Sequence, residues 1–378
     1  MCTPAHFGEF ATLLREIIRS SCSHPALPCS EQAFDRLAVS LFGLQFDQNP
    51  SYRLLCESRN LSPPRVAHWT QIPSVPALAF KEMDLSCLPP QERTAVFHSS
   101  GTTGQRPSRH FHGDVSLELY EASLWPWFST HLLPELSAAA PPNAQIPRRL
   151  VMLSPPPEVV PHSSLARMFA TIQRQGNWNE SGFFGQLDVS GNWTLDTAAA
   201  VACLKQAAEF RQATLILGTA FSLVHLLDHL HESGLAFQLP AGSRVMETGG
   251  YKGRSRALAR PELHALISRY LGIPAGRIVC EYGMSELSSQ AYDRAVSNTA
   301  VNRRFGFPPW ARVQIISAET GQEVGEGQTG LIRVFDLANV YSVLAIQTED
   351  LGIRRGEGFE LLGRAQTAEP RGCSLAAA

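Results

Sequence analysis

Short apolar segments alternate with longer helical segments through the middle of the chain. Each apolar segment is five or six residues long, which suits a buried strand, and the stretches between them carry apolar residues at helical spacing. The predicted strands are residues 149–154, 213–218, 243–247 and 277–281. The predicted helices are residues 197–211, 220–232 and 256–270. Helices of this length connect parallel strands, so the alternation predicts an α/β fold with a mostly parallel sheet flanked by helices.

Polar segments come directly after these strands and after the shorter apolar run at residues 96–97. Ligands of open α/β sheets bind beyond the carboxyl ends of the strands, so polar residues at those positions are expected to face one crevice. The segments concerned are residues 99–104, the turn at Thr219, residues 247–252 and residues 281–286. The sequence therefore predicts one ligand-binding crevice built from several separate parts of the chain.

The loop at residues 99–104 consists of hydroxyls and glycines alone. Its glycines permit backbone angles that let main-chain N–H groups approach an anion, and its hydroxyls add donors without bulk. The residues are Ser99, Ser100, Gly101, Thr102, Thr103 and Gly104. The spacing of a Walker loop is absent. The loop therefore suits a polyphosphate, and the alternative interpretation is a polar turn between two elements.

The overall charge and the cysteine pattern exclude several classes of protein. The 378 residues carry a formal net charge of −2, so no basic field favours nucleic acid or an anionic membrane surface. Eight cysteines are scattered without a Cys-x-x-Cys pair, which argues against a zinc ribbon, a thioredoxin motif and a dense disulfide framework. A signal-peptide pattern and a long apolar run are also absent. We therefore expect a cytoplasmic protein with reduced thiols, no nucleic-acid partner and no membrane span.

Prolines and a change of pattern near residue 305 indicate how the chain is divided. Residues 7–18 and 31–46 carry apolar positions at helical spacing, and prolines at positions 63–76 interrupt the helical pattern after them. After residue 305, short strands alternate with glycine-rich turns, as in a small antiparallel or barrel-like unit, with an acidic turn at residues 348–352. The predicted divisions are a helical region 1–77, an α/β core 78–304, a small β subdomain 305–364 and a tail 365–378.

Four motifs in order resemble the core motifs of the adenylate-forming superfamily, which includes the acyl-CoA synthetases. They are the loop 99–104, residues 282–286 (Tyr-Gly-Met-Ser-Glu), residues 348–350 (Thr-Glu-Asp) and residues 362–364 (Leu-Gly-Arg). Within the superfamily, the short chain, residues 249–253 and the ending around Cys373 are most similar to the acyl-protein synthetases of bacterial bioluminescence operons. The resemblance implies helix-flanked, mostly parallel sheets with a small β-barrel-like subdomain.

The resemblance also implies roles for the residues that bind ATP. The loop 99–104 would hold the β- and γ-phosphates. Gly249 and Gly250 would pass their backbone under the adenine, and Tyr282 would stack on the other face of the base. The chemistry implied is attack of a carboxylate on the α-phosphorus with loss of pyrophosphate, in which positioning and charge neutralisation dominate.

Three further roles are implied by the same resemblance. Asp350 would accept hydrogen bonds from the ribose hydroxyls, and Arg364 would lie at the hinge position and touch the nucleotide. Glu286 would bind Mg²⁺, a hard cation that prefers carboxylate and phosphate oxygens. ATP and Mg²⁺ are therefore the expected cofactors, and a carboxylic acid, most simply a fatty acid, is the expected substrate.

The sequence departs from the superfamily pattern at two places. The usual lysine after the phosphate loop is missing, and Arg106 or Arg109 is the candidate replacement, although arginine and lysine are not equivalent at a phosphate. Typical relatives also continue into a mobile domain that delivers a catalytic lysine, whereas only residues 365–378 come after Arg364 here. We expect that domain to be lacking. Lys252 is the candidate stand-in for its lysine, with a solvated loop lysine as the alternative.

Cys373 is the predicted acceptor of the acyl group. The luciferin-component ligases transfer the acyl group to a cysteine near their own carboxyl terminus, and Cys373 occupies that place beside Arg371, which can lower a thiol pKa. The alternative is an incidental cysteine in a frayed tail. The predicted function is therefore ATP-dependent acyl adenylation, transfer to Cys373 and delivery to a partner such as an acyl reductase. The open alternatives are a CoA or carrier-protein thiol as acceptor, and a non-catalytic nucleotide-binding relative.

Two groups of histidines offer weaker signals. His98, His110 and His112 lie next to the phosphate loop, and either substrate orientation or packing explains them. The histidines at positions 225, 229 and 231 have metal-ligand spacing, but the amphipathic pattern of residues 220–232 favours a solvated helix face over zinc.

Overall fold

The structure is a computed structural model of the 378-residue chain. It describes residues 4–23, 29–99, 106–137, 140, 145–249, 258–293, 296 and 303–365. The helices are α1 (Phe7–Ser23), α2 (Glu31–Gln48), α3 (Pro50–Ser58), α4 (Ala79–Glu82), α5 (Asp114–Leu132), α6 (Ser164–Gln175), α7 (Thr197–Glu209), α8 (Ala220–Glu232) and α9 (Arg260–Leu271). The strands are β1 (Val75–Pro76), β2 (Ala95–His98), β3 (Arg109–His112), β4 (Arg149–Leu153), β5 (Glu180–Phe183), β6 (Gly185–Leu187), β7 (Trp193–Leu195), β8 (Thr214–Thr219), β9 (Arg244–Thr248), β10 (Ile278–Tyr282), β11 (Ala291–Tyr292), β12 (Ala311–Ile316), β13 (Thr329–Asp336), β14 (Ala345–Arg355) and β15 (Gly358–Arg364).

The larger sheet is mostly parallel and contains all four strands predicted from the apolar segments. Its strand order is β11-β10-β9-β8-β4-β5, with parallel pairing throughout except between β10 and β11. Strands β4, β9 and β10 are buried along their whole length, and β8 is buried up to its last residue. Continuous apolar runs are what a sheet covered on both faces requires. The predicted α/β fold class is confirmed.

Alternate residues of these strands enter two separate cores. Val151, Ile216 and Val245 pack in one core with α7, α8 and α9. Leu150, Leu215 and Met246 pack in the other core with α5 and α6. Successive side chains of a strand point to opposite faces of the sheet. Each central strand therefore packs against one layer of helices on each face.

The smaller sheet is antiparallel apart from one short strand. Its order is β1-β14-β13-β12, and β15 also pairs with β14; β1 is parallel to β14. The predicted acidic turn at residues 348–352 is wrong, because these residues lie inside β14, which pairs with both β13 and β15. A register shift between Leu351 and Gly352 bends the strand there. Glycine and acidic residues are typical of turns, which is why the sequence predicts one here. Pairing with β13 on one side and β15 on the other keeps this segment extended.

The amino-terminal helices share a core with the smaller sheet. Phe10 of α1, Phe34 and Phe42 of α2 and Tyr52 of α3 belong to the same buried cluster as Ile332 and neighbouring residues of β12–β14. Within the described ranges, no helix is both long and apolar enough to cross a lipid bilayer.

Candidate active site

Three of the predicted nucleotide-binding side chains lie in contact where the two sheets meet. Tyr282 ends β10, and its hydroxyl donates a hydrogen bond of 2.9 Å to Oδ2 of Asp350 in β14. Nε of Arg364, the last residue of β15, lies 3.7 Å from Oδ1 of the same carboxylate. Asp350 thus joins Arg364 to a tyrosine that lies 68 positions before the aspartate in sequence.

The ring of Tyr282 is held by aromatic neighbours. The rings of Phe305, Phe307 and Phe359 meet it at centroid distances of 6.2, 6.3 and 5.4 Å, each close to edge-on. Burial, and next the nearby Asp350 carboxylate, raise the pKa of Tyr282 well above its usual range. The phenol therefore stays protonated and remains a donor to Asp350 at neutral pH.

The pKa of Asp350 reflects opposing influences. Burial raises it, while the hydrogen bond from Tyr282 and the charge of Arg364 lower it. The Arg364 side chain itself is 78% exposed, so its ion pair with Asp350 is screened by water. The hydrogen bond from Tyr282 therefore fixes the position of the Asp350 carboxylate more strongly than the ion pair with Arg364 does.

Gly249 occupies a position that only glycine adopts readily. It directly follows β9 and has φ +63°, in the left-handed region. An added Cβ would meet no heavy atom within 4 Å, so the requirement is conformational and not steric. Thr248 pairs with Glu281, so Gly249 lies beside the end of β10 that carries Tyr282.

The predicted phosphate loop connects the two strands of a hairpin. β2 and β3 pair antiparallel, with His98 opposite Arg109. Oγ of Ser99 accepts a 3.0 Å hydrogen bond from the backbone N–H of Ser108, which closes the base of the loop. Arg109 forms an ion pair of 2.9 Å with Asp84, whereas Arg106 is exposed and has no acidic partner among the described residues.

Glu286 lies against the base of this hairpin. Its Oε2 accepts a 3.0 Å hydrogen bond from Oγ of Ser285, and that hydroxyl lies 3.5 Å from Oγ of Ser108. His110 of β3 places Nδ1 2.9 Å from the carbonyl oxygen of Ser285. Burial raises the pKa of Glu286, and hydrogen bonding from Ser108 is the largest opposing influence. A carboxylate held among hydroxyls beside the predicted phosphate loop fits a hard cation such as Mg²⁺.

Glu281 and Thr248 lie in two of the polar segments predicted to face the crevice, but the sequence analysis assigns neither of them a role of its own. They sit side by side on β10 and β9, and the Thr248 hydroxyl donates a hydrogen bond to the Glu281 carboxylate. Burial raises the pKa of Glu281 to about 7. An acidic residue at the end of an otherwise apolar strand is the signal that could have identified it, since a buried carboxyl with a shifted pKa marks a candidate functional group.

The remaining predicted site residues fall outside the described parts of the chain. They are Ser100, Gly101, Thr102, Thr103, Gly104, Gly250, Lys252 and Cys373.

The carboxyl-terminal half of the chain is similar to a known protein family. Residues 193–378 match the family model for the acyl-protein synthetase LuxE. The resemblance to the acyl-protein synthetase family is confirmed. The match includes Tyr282, Glu286, Asp350 and Cys373, and begins after the predicted phosphate loop.

Two curated proteins are similar to the chain. The long-chain-fatty-acid–luciferin-component ligase of Vibrio harveyi is 21% identical over 190 residues, which are 48% of this chain and 49% of that protein. The corresponding ligase of Aliivibrio fischeri is 22% identical over 174 residues, 43% of this chain and 44% of that protein. The chain thus spans about half the length of the curated relatives that it matches.

Solved structures of an adenylate-forming ligase share the fold. An open conformation of 2-hydroxyisobutyryl-CoA ligase, bound to 2-HIB-AMP and CoA, superimposes with a TM-score of 0.62 at 13% identity. The match covers 88% of this chain and 72% of that chain. The same ligase in its postadenylation state has a TM-score of 0.62 at 14% identity, over 89% of this chain and 69% of that chain. The fold is that of the adenylate-forming enzymes.

Proposed function

We propose that this protein is an AMP-forming ligase that activates a long-chain fatty acid as its acyl adenylate. The observation that carries the proposal is the contact of Tyr282, Asp350 and Arg364 at the strand ends, with Glu286 beside the base of the hairpin loop. A fatty acid is the favoured substrate because both curated relatives are named long-chain-fatty-acid ligases.

ATP would bind across the ends of β9 and β10, with Gly249, Gly250 and Tyr282 as the residues for the adenine and Asp350 as the acceptor for the ribose hydroxyls. Residues 99–104 would supply backbone N–H groups and hydroxyls for the β- and γ-phosphates. Arg364 would add a positive charge on the Asp350 side. Arg106 is the better candidate cation for the phosphates, because Arg109 already pairs with Asp84, a carboxylate that it shares with Arg93.

Mg²⁺ would be held by Glu286. It would neutralise charge on the phosphate oxygens as pyrophosphate leaves.

The first half-reaction is substitution at the α-phosphorus. An oxygen of the fatty acid carboxylate forms a bond to that phosphorus while the bond to the pyrophosphate oxygen breaks, which gives acyl adenylate and pyrophosphate. Neither partner requires a proton at this step. The contribution of the chain is therefore orientation and electrostatic stabilisation, and Lys252 is the candidate for an additional cation.

The second half-reaction transfers the acyl group to Cys373. The thiolate attacks the acyl carbonyl carbon, the bond to the AMP oxygen breaks, and a thioester forms as AMP leaves. Support comes from the family description, acyl-protein synthetase, and from the match of residues 193–378, which includes Cys373. The thioester would then pass to a partner such as an acyl reductase.

Acyl labelling tests the transfer step. The full chain is incubated with ATP, Mg²⁺ and radiolabelled long-chain fatty acid, and hydroxylamine-labile label on the protein is measured. We expect labelling of the unaltered chain and of the control Cys203→Ser, which changes a partly exposed cysteine outside the site. Cys373→Ser should remain unlabelled. Label retained in Cys373→Ser would overturn self-acylation, and label recovered on CoA or a carrier protein would establish the alternative acceptor.

Pyrophosphate exchange into ATP tests the adenylation step separately. Exchange should persist in Cys373→Ser and disappear in Glu286→Ala, with the exposed Glu357→Ala as the matched control. Absence of exchange with every fatty acid tested would favour a non-catalytic nucleotide-binding protein.

A further inference from the structure

Three buried side chains from separate elements converge next to the candidate active site. Glu247 lies in β9, Cys280 lies in β10, and His264 lies in α9. Glu247 and Cys280 are direct partners in the pairing of their two parallel strands. Glu247 is 7% exposed, Cys280 is 2% exposed and His264 is 6% exposed, so water does not solvate them freely. No role in adenylation accounts for this cluster.

The distances among the three groups resemble those among the ligands of a tetrahedral metal. His264 Nε2 lies 2.9 Å from Glu247 Oε2, Cys280 Sγ lies 3.4 Å from that oxygen, and Sγ lies 3.7 Å from Nε2. Zinc bonds of about 2.3 Å to sulfur and about 2.0–2.2 Å to nitrogen and oxygen place tetrahedral ligands roughly 3.4–3.6 Å apart. The two contacts of Cys280 already fit this spacing to within a few tenths of an ångström, and the Glu247–His264 pair would have to open by roughly half an ångström to enclose zinc.

The same geometry does not fit a nucleophilic triad. In a triad the carboxylate orients the imidazole through one ring nitrogen, and the nucleophile contacts the other. Here Glu247 and Cys280 both approach Nε2 of His264. Burial also makes Cys280 inaccessible to a bulky acyl adenylate. The contacts at Nε2 therefore do not form a proton relay through the imidazole, and ligand atoms that meet at one point are the arrangement that a bound cation requires.

The surrounding charges are compatible with a divalent metal. Arg303 lies 3.5 Å from Sγ of Cys280, but its Nη1 forms an ion pair of 2.6 Å with Asp293, which balances its charge. Zn²⁺ bound by a Cys280 thiolate, a Glu247 carboxylate and a neutral His264 would make the cluster neutral overall. A neutral assembly avoids the large cost of a buried net charge.

We propose that Glu247, His264 and Cys280 bind a zinc ion, with a water molecule as the fourth ligand. Thiolate, imidazole and carboxylate together suit zinc better than magnesium or calcium. The metal connects β9 to β10 and both strands to α9. Gly249 follows β9, two residues after the ligand Glu247, and Tyr282 ends β10, two residues after the ligand Cys280. The metal therefore fixes the spacing of the strand ends that flank the proposed adenine site. This site is separate from the Mg²⁺ site proposed at Glu286.

Metal analysis and cobalt substitution test the site directly. The full chain, purified without a histidine tag, should contain about one zinc per molecule. After removal of the metal with a chelator, its thermal midpoint should fall by several degrees and recover with Zn²⁺. Titration of the metal-free chain with Co²⁺ should produce a thiolate-to-cobalt charge-transfer band that saturates at one equivalent and that excess Zn²⁺ removes.

Variants assign the band to this cluster. Cys280→Ser should abolish the charge-transfer band. His264→Gln should weaken cobalt binding by more than tenfold, because it removes a metal ligand. The controls are Cys56→Ala, at a buried cysteine, and His131→Gln, at a partly buried histidine; both residues lie outside the cluster, and both variants should keep the band and the affinity.

Cys373→Ser should also keep the band. The proposal is overturned by a folded, metal-free chain that gives no band with Co²⁺, or by a band that survives Cys280→Ser. Either result leaves the proposed adenylation untouched, because pyrophosphate exchange measures that step independently.

Discussion

Asp350 is shared by two neighbours that hold it differently. Tyr282 is buried and donates a hydrogen bond, whereas Arg364 is largely exposed and contributes a screened charge. Removing the hydroxyl should therefore matter more than removing the guanidinium. In the proposed complex, the tyrosine would orient the carboxylate for the ribose, and the arginine would adjust the local potential.

Tyr282→Phe isolates the hydroxyl from the ring. We expect the KM for ATP in pyrophosphate exchange to rise roughly five- to tenfold, because Asp350 loses the hydrogen bond that orients it, worth about 1–1.5 kcal/mol. The aromatic packing should survive, so kcat should change little. Tyr341→Phe, at a half-buried tyrosine against Phe7, is the control. An unchanged KM would show that Asp350 needs no positioning by Tyr282.

Glu281 should make stability depend on pH. Burial raises its folded-state pKa to about 7, against roughly 4.3 in an unfolded chain. Between these values the unfolded state has lost the proton that the folded state retains, so the stability contributed by this group is complete below about pH 4 and declines as pH rises through 7. Glu281→Gln should remove that decline and stabilise the protein at pH 8 by roughly 3 kcal/mol. Urea unfolding at pH 5 and pH 8 measures both effects; an equal pH dependence in the variant would contradict this assignment.

The β2–β3 hairpin places two arginines in different environments. Arg109 is tied to Asp84 and belongs to the hairpin itself, whereas Arg106 is exposed at the edge of the loop. Arg106→Ala should lower exchange about tenfold or more, in line with about 1.5–3 kcal/mol for a charged contact to phosphate, without changing the thermal midpoint. Arg109→Ala should lower the thermal midpoint instead. Reversal of the two effects would place the phosphates nearer Arg109.

Strands and helices differ in how far the sequence predicts them. The four central strands are predictable because burial on both faces leaves an apolar run that is visible in isolation. Residues 348–352 resemble a turn in sequence because their extended conformation depends on partner strands on both sides, β13 and β15. Helix α5 continues through Pro126 as one helix, since the structure around it outweighs the local cost of proline.

At the scale of the whole molecule, long-range contacts are not predictable from the sequence. The order of strands indicates one crevice, but the Tyr282–Asp350 hydrogen bond and the cluster of Glu247, His264 and Cys280 depend on how separate elements pack. The roles of Lys252 and Cys373, the domain divisions and the expected lack of a mobile carboxyl-terminal domain stay predictions. Motif order alone indicates the family and the type of chemistry.

Gln45 tests whether the amino-terminal helices fold as one unit with the smaller sheet. It is fully buried in α2; its Nε2 donates to the carbonyl oxygens of Asn339 and Val340, and its Oε1 accepts from the N–H of Leu344. Gln45→Met keeps the volume but removes these three hydrogen bonds and leaves the N–H of Leu344 without its glutamine acceptor, at a cost of about 2–4 kcal/mol. The exposed Gln48→Met is the control.

Because α1–α3 share a core with β12–β14, the two regions should unfold together. We expect Gln45→Met to lower the midpoint of a single cooperative transition followed by both tryptophan fluorescence and circular dichroism. Two separated transitions, with only the first shifted by the substitution, would show that the helical region unfolds independently of the sheet on which it packs.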